Sequence, residues 1–140
     1  KPVLLSLSTT IEKNKKQYYD CLEKSQSSLD ITEWILFFAD MIRQAQTEAT
    51  ETVNFSIQKT KYFDMFKQHF SDRQLKTINK MLDSGHKGFE GGMTAKKYMS
   101  INCVSKATAT RDLQELAQIG ALRQIGEGRS VHYQLKLKNN

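Results

Sequence analysis

Between Pro2, the only proline, and Gly85 the chain has neither glycine nor proline, and all seven glycines (85, 88, 91, 92, 120, 126, 128) lie in its second half. Nothing in residues 31–84 breaks a helix, so the first half is expected as long helices with few connections. The second half, punctuated by glycine, is expected to turn repeatedly. Of the 140 residues, 39% are hydrophobic and 26% charged, enough for one ordinary domain or two small ones sharing a surface. No apolar run reaches the ~18 residues of a membrane span, and the stretch after Lys1-Pro2 is too short for a signal peptide. Cys21 and Cys103 alone make no disulfide framework and no thiolate metal site. These features fit a folded intracellular chain, expected in the cytoplasm.

Charge is divided unevenly. Residues 1–70 carry nine Lys and Arg against nine acids, whereas residues 71–140 hold twelve against six, the whole of the net +6. A neutral half joined to a basic half suggests two jobs, the basic one facing a polyanion; the plainer reading is a solvated basic face that aids solubility.

In the neutral half, Ser8-Thr9-Thr10 offers cap side chains before Ile11, Tyr18 and Leu22, which recur at helical spacing. Residues 25–28 read as a connection. Asp30 and Glu33 then have capping-box spacing, with Asp30 placed to accept from the Glu33 amide. Beyond them Ile31, Trp34, Ile35, Phe38, Met41, Ile42, Ala45, Ala49 and Val53 mark one stripe, and residues 34–38 are expected to be deeply buried. A continuous helix over residues 31–70 would run ~60 Å. It must pack on a partner, break near Asn54, or belong to a larger protein.

The basic half is more specific. Ser71-Asp72 caps a helix carrying Leu75, Ile78, Met81 and Leu82, ended by Gly85. Thr94 caps a short helix with Tyr98 and Met99 inward. A tight connection through Cys103, expected as a small buried hydrophobe, leads to Ser105, which caps a helix ending near Ile119 and Gly120. Two short helices joined by about four residues are a helix-turn-helix signature. The pattern then alternates: residues 122–125 read as strand, 126–129 as turn, and Val131, Tyr133, Leu135 and Leu137 as the inward side of a second strand. The fold expected is mainly α, with N-terminal helices (one long) over residues 1–70. A winged helix-turn-helix domain with a small antiparallel hairpin wing follows over residues 71–140.

On the helix from Ser105, Ala109, Leu113 and Leu116 share the core sector. Ala107, Thr108, Arg111, Gln114 and Glu115 oppose them, flanked by Lys106 and Thr110. Small, hydroxyl and basic side chains at a helix start suit a DNA major groove. The candidate DNA-binding residues are Lys96, Lys97, Lys106, Thr108, Thr110, Arg111, Gln114 and Arg129. Arg111 could fork to a guanine edge, and Arg129 at the wing tip could reach the backbone or minor groove. Glu115 opposes anion binding on that outer face, and Asp112 flanks it. Winged helices also serve as protein-docking modules, so the fold alone does not choose.

Residues 2–8 and 11–19 (Pro-Val-Leu-Leu-Ser-Leu-Ser, then Ile-Glu-Lys-Asn-Lys-Lys-Gln-Tyr-Tyr) resemble the segment that follows the catalytic core in Fic/Doc-family proteins. Asp30 with Glu33-Trp34-Ile35-Leu36-Phe37-Phe38 is similar to the Trp- and Phe-bearing helix that follows there. Residues 104–113 and 126–130 resemble that family's C-terminal winged helix, a motif shared with many bacterial regulators. The resemblance implies the regulatory tail of a protein that transfers AMP from ATP to hydroxyl groups of target proteins, with ATP and Mg held by the parent's core. The family's active-site motif (His-Pro-Phe, then Asp or Glu, Gly-Asn, Gly and Arg) is absent, and the only histidines are His69, His86 and His132. These 140 residues are therefore expected to be non-catalytic and without cofactor or metal.

His132 reads as a solvated wing residue and His69 as a packing residue. Residues 126–128 make a turn rather than a phosphate loop, because a strand and not a helix follows. Three readings stay open. They are a DNA-binding regulatory tail of a Fic-type protein, a protein-interaction or dimerisation module that leaves DNA alone, and a free-standing winged-helix regulator. The candidate partners are DNA, the catalytic core of the same protein and a second copy of the chain, with no membrane.

Overall fold

The computed structural model describes residues 6–27 and 29–137, and the chain divides between Asn54 and Phe55 into two units. The first holds α1 (Leu7–Lys13), α2 (Lys15–Gln26) and the beginning of α3 (Thr32–Phe66). Ser6 caps α1, its hydroxyl accepting from the Thr9 amide at 3.2 Å. The cap expected at Ser8-Thr9-Thr10 is thus displaced: Ser6 reaches the first free amides, and the three hydroxyls enter the helix, with Thr10 buried. The single helix expected through Ile11, Tyr18 and Leu22 is interrupted at Asn14, whose side-chain amide donates to the Thr10 carbonyl at 2.9 Å. A short amide that competes for a neighbouring carbonyl offers the backbone an alternative to the helix. Helix α2 extends to Gln26, into the connection expected over residues 25–28, and Ser28 lies outside the described residues, as do residues 2–5 of the N-terminal motif.

At the start of α3 the Asp30 carboxylate accepts from the Thr32 amide at 3.0 Å. Hydrogen bonds from Thr32, hydroxyl first and amide second, hold that carboxyl below its ordinary range. The 34–38 cluster is not deeply buried. Trp34 and Phe38 stack at 5.8 Å and Tyr18 meets Trp34 at 5.2 Å, but Ile35 and Leu36 remain 54% and 66% exposed. A segment that is apolar all round needs cover all round, and here packing reaches one side only. Burial becomes complete a turn later, at Met41 and Ala45. Helix α3 passes Asn54 without a break and runs 35 residues.

The last turns of α3 belong to the second unit, followed by a 3₁₀ turn (Lys67–His69), α4 (Asp72–Leu82), α5 (Ala95–Asn102), α6 (Lys106–Gln118), β1 (Leu122–Ile125) and β2 (His132–Leu135). The caps expected at Ser71, Thr94 and Ser105 all form. At Ser71 the box is complete, because Gln74 returns its side-chain oxygen to the Ser71 amide at 2.9 Å. The strands pair antiparallel with Leu122 opposite Leu135 and Ile125 opposite His132. Met93 adds a bridge to Tyr133, the two residues exchanging amide-to-carbonyl bonds of 2.7 and 2.8 Å. The core joins Ile78, Met81, Leu82, Met93, Tyr98, Ala109, Leu113, Leu116, Leu122 and Tyr133 with Tyr62 from α3. Tyr62 donates its hydroxyl to the Ala121 carbonyl at 3.0 Å, at the foot of β1.

This is the helix-turn-helix plus two-stranded wing read from the sequence, with several side chains placed differently. Cys103 is exposed, not buried: it ends α5 at φ 53°, and the left-handed turn swings its thiol to solvent. His69 is exposed in the 3₁₀ turn rather than packed. His132 is half-buried rather than fully solvated, because its ring covers Gly92, where an added Cβ would lie 2.6 Å from the imidazole. No described helix is long and apolar enough to cross a membrane, and no cluster of metal-ligating side chains occurs among the described residues.

Candidate nucleic-acid interface

Helix α6 turns one face to the core and the other to solvent. Ala109, Leu113 and Leu116 are fully buried, while Lys106, Ala107, Arg111, Gln114 and Glu115 are exposed. Ser105 accepts the Thr108 amide at 3.2 Å and its hydroxyl meets the Thr108 hydroxyl at 3.0 Å. Thr108 and Thr110 are half-buried at the rim of the exposed face. The helix start therefore offers a basic residue, a small residue and hydroxyls beside backbone amides whose dipoles favour an anion.

The structure brings Lys106, Thr108, Thr110, Arg111 and Gln114 onto one element. Arg129 stands exposed in the 3₁₀ turn Gly128–Ser130 at the hairpin tip, and Lys96 is exposed on α5. Lys97 is differently employed. Its ammonium donates to the carbonyls of Glu90 at 2.6 Å and Gly92 at 3.0 Å and lies 4.9 Å from the Phe89 ring centre, so it fastens the loop before α5. A phosphate would have to compete with those carbonyls for its charge.

Asp112 corrects the sequence reading most. Rather than flanking Glu115 on the outer face it is 2% exposed, accepting from Arg73 Nε at 3.1 Å and from the Tyr98 hydroxyl at 2.9 Å. One carboxylate thus ties α4, α5 and α6 together at the base of the exposed helix. Its hydrogen bond and charge hold the Arg73 guanidinium above its ordinary range, and burial first, Asp112 second, pushes the Tyr98 phenol up. The Asp112 carboxylate is thus matched inside the protein rather than presented on the solvent face.

Gln74 is the other residue that sequence reasoning missed. It is 5% exposed; its Nε2 donates to the Asp112 carbonyl at 3.3 Å and to Glu115 Oε2 at 3.2 Å. The signal was present in Ser71-Asp72-Arg73-Gln74, a Ser followed three residues later by Gln. Its reach to α6 was not, because that depends on how α4 crosses α6. On the outer side Glu115 Oε1 lies 3.9 Å from Arg111 Nε, with the Arg111 side chain 67% exposed.

No curated protein matches the chain. Residues 89–136, from the loop before α5 to the end of the hairpin, match a family model described as "Transcriptional regulator DIP2311-like, C-terminal domain". The matched stretch includes α5, α6 and both strands, and so every candidate contact residue named above.

Proposed function

We propose that the second unit binds duplex DNA as the reading domain of a transcription regulator, with α6 in the major groove and the hairpin tip against the backbone. The observation that carries this is the outer face of α6, where Lys106, Ala107, Arg111 and Gln114 are exposed on a helix anchored by three buried apolar residues. The basic surplus of residues 71–140 and the description of the matching family support the same reading. Arg111 contacts a base edge, whereas Lys96, Lys106 and Arg129 contact phosphates. In fluorescence anisotropy with labelled duplex, affinity falls steeply and log-linearly with salt. Arg111→Ala weakens a preferred duplex by about tenfold, and Arg129→Ala weakens all duplexes alike and flattens the salt slope. Binding unchanged by either substitution would reject the groove model.

In this reading the 140 residues catalyse nothing of their own. The finer assignment, to the C-terminal region of a Fic-type AMP transferase, rests on the sequence motifs in residues 2–8, 11–19 and 30–38; ATP and Mg would belong to the parent's core. A His-Pro-Phe motif in the reading frame upstream of Lys1 supports that assignment, and a start codon at residue 1 favours a free-standing regulator. One observation favours a protein-docking role for the first unit: Ile31, Ile35 and Leu36 are 48%, 54% and 66% exposed at the start of α3. Light scattering on the whole chain separates a dimer from a monomer that awaits another protein.

A further inference from the structure

We propose that Glu115 is a specificity-determining residue of this interface: anchored by the buried Gln74 amide, it buttresses Arg111 toward a base edge and restrains it from phosphate. The inference rests on the DNA-binding reading above and names how that same face discriminates.

An acidic side chain beside the reading arginine opposes binding to a polyanion, so a carboxylate built firmly into that place calls for a function. Glu115 is built in. The Gln74 amide is held at every end, its oxygen by the Ser71 amide at 2.9 Å and its nitrogen by the Asp112 carbonyl at 3.3 Å. The same nitrogen reaches Glu115 Oε2 at 3.2 Å, so the carboxylate is pinned by a donor that cannot follow it outward. Its other oxygen faces Arg111 Nε, one helical turn away at 3.9 Å. This ion-pair contact at Nε, too long for a hydrogen bond, leaves the guanidinium its two terminal nitrogens for an end-on fork to the two acceptors of a guanine edge. To reach a phosphate instead, Arg111 must leave an anchored anion. The carboxylate also repels phosphates directly, and that repulsion weighs on every sequence equally. That uniform repulsion cancels from the preference between duplexes; discrimination comes instead from restraining Arg111 from phosphate, a contact open to every sequence, while its base contact is open only to the correct one.

The test uses the whole chain, a duplex enriched by it from a random pool, and a scrambled duplex of equal length. Glu115→Gln keeps an acceptor for Gln74 but removes the charge. The expected result is tighter binding to scrambled duplex with a steeper salt slope, and a loss of about tenfold in the preference for the enriched duplex. In an Arg111→Ala background the same substitution should leave that preference unchanged. Gln74→Leu, checked for folding by circular dichroism, retains the carboxylate and frees it. Preference should fall there while affinity for the scrambled duplex hardly moves. If Gln74→Leu does not fold, the Glu115 and Arg111 cycle decides alone. An unchanged preference in Glu115→Gln, or an equal loss with and without Arg111, overturns the proposal. A wild-type chain that binds neither duplex overturns the DNA reading itself, and this inference with it.

Discussion

Asp112 shows what one side chain can decide. Its position on α6 lies at the edge of the sector marked by Ala109, Leu113 and Leu116, so periodicity leaves its direction open, and its charge argues for solvent. Arg73 and Tyr98, far off in sequence, reverse that by supplying donors inside the protein. Such a partnership cannot be read from spacing, because it exists only once three helices cross. Asp112→Ala removes the carboxylate acceptor of the buried Tyr98 phenol and frees an arginine that is already partly solvated. It is expected to lower stability by ~2–3 kcal/mol, seen as a fall in urea midpoint with an unchanged slope. Burial pushes the Tyr62 and Tyr98 phenols up from their ordinary values near 10. A raised folded-state value means the unfolded chain releases its proton first. Stability is therefore intact below pH ~10 and is lost as pH rises past it. Melting temperatures across pH 8–11 should show this decline, and Tyr62→Phe should reduce its steepness.

At the level of elements, most of the second unit is legible in the sequence. Hydroxyl caps before apolar periods, glycines after them and a final alternation fix α4 to α6 and the hairpin, since these signals are local. The first unit is less legible for the same reason. Asn14 carries no helix-breaking signature as strong as glycine, yet its amide captures the Thr10 carbonyl and divides α1 from α2. The turn between α5 and α6 departs from local preference, since Cys103 takes φ 53°, a conformation glycine adopts without steric cost. With the thiol exposed and free, nothing in the packing opposes replacement. Cys103→Gly is expected to raise stability by ~0.5–1 kcal/mol, read as a higher melting temperature.

For the whole molecule, composition separates a helical, charge-neutral half from a basic one, but it does not show how far the second unit reaches back into α3. Tyr62, Phe63, Phe66 and Phe70 pack on the second unit's core, with ring centres of Tyr62 and Phe66 at 5.1 Å. A chain beginning at residue 55 keeps these aromatics, and one beginning at residue 71 exposes the surface they cover. The longer fragment is expected to unfold in one cooperative transition, and the shorter to be less stable by several kcal/mol, given ~3–5 kcal/mol for a single buried Phe. Equal urea midpoints for the two fragments would contradict that contribution from α3.

The bridge between Met93 and Tyr133 fastens the middle of β2 to the entrance of α5. Residues 126–130 extend past that fastening as an overhang. Insertions or deletions there would alter how far the ribbon projects while leaving the globule beneath untouched, so related chains could diverge in reach at this spot before diverging anywhere in their interior.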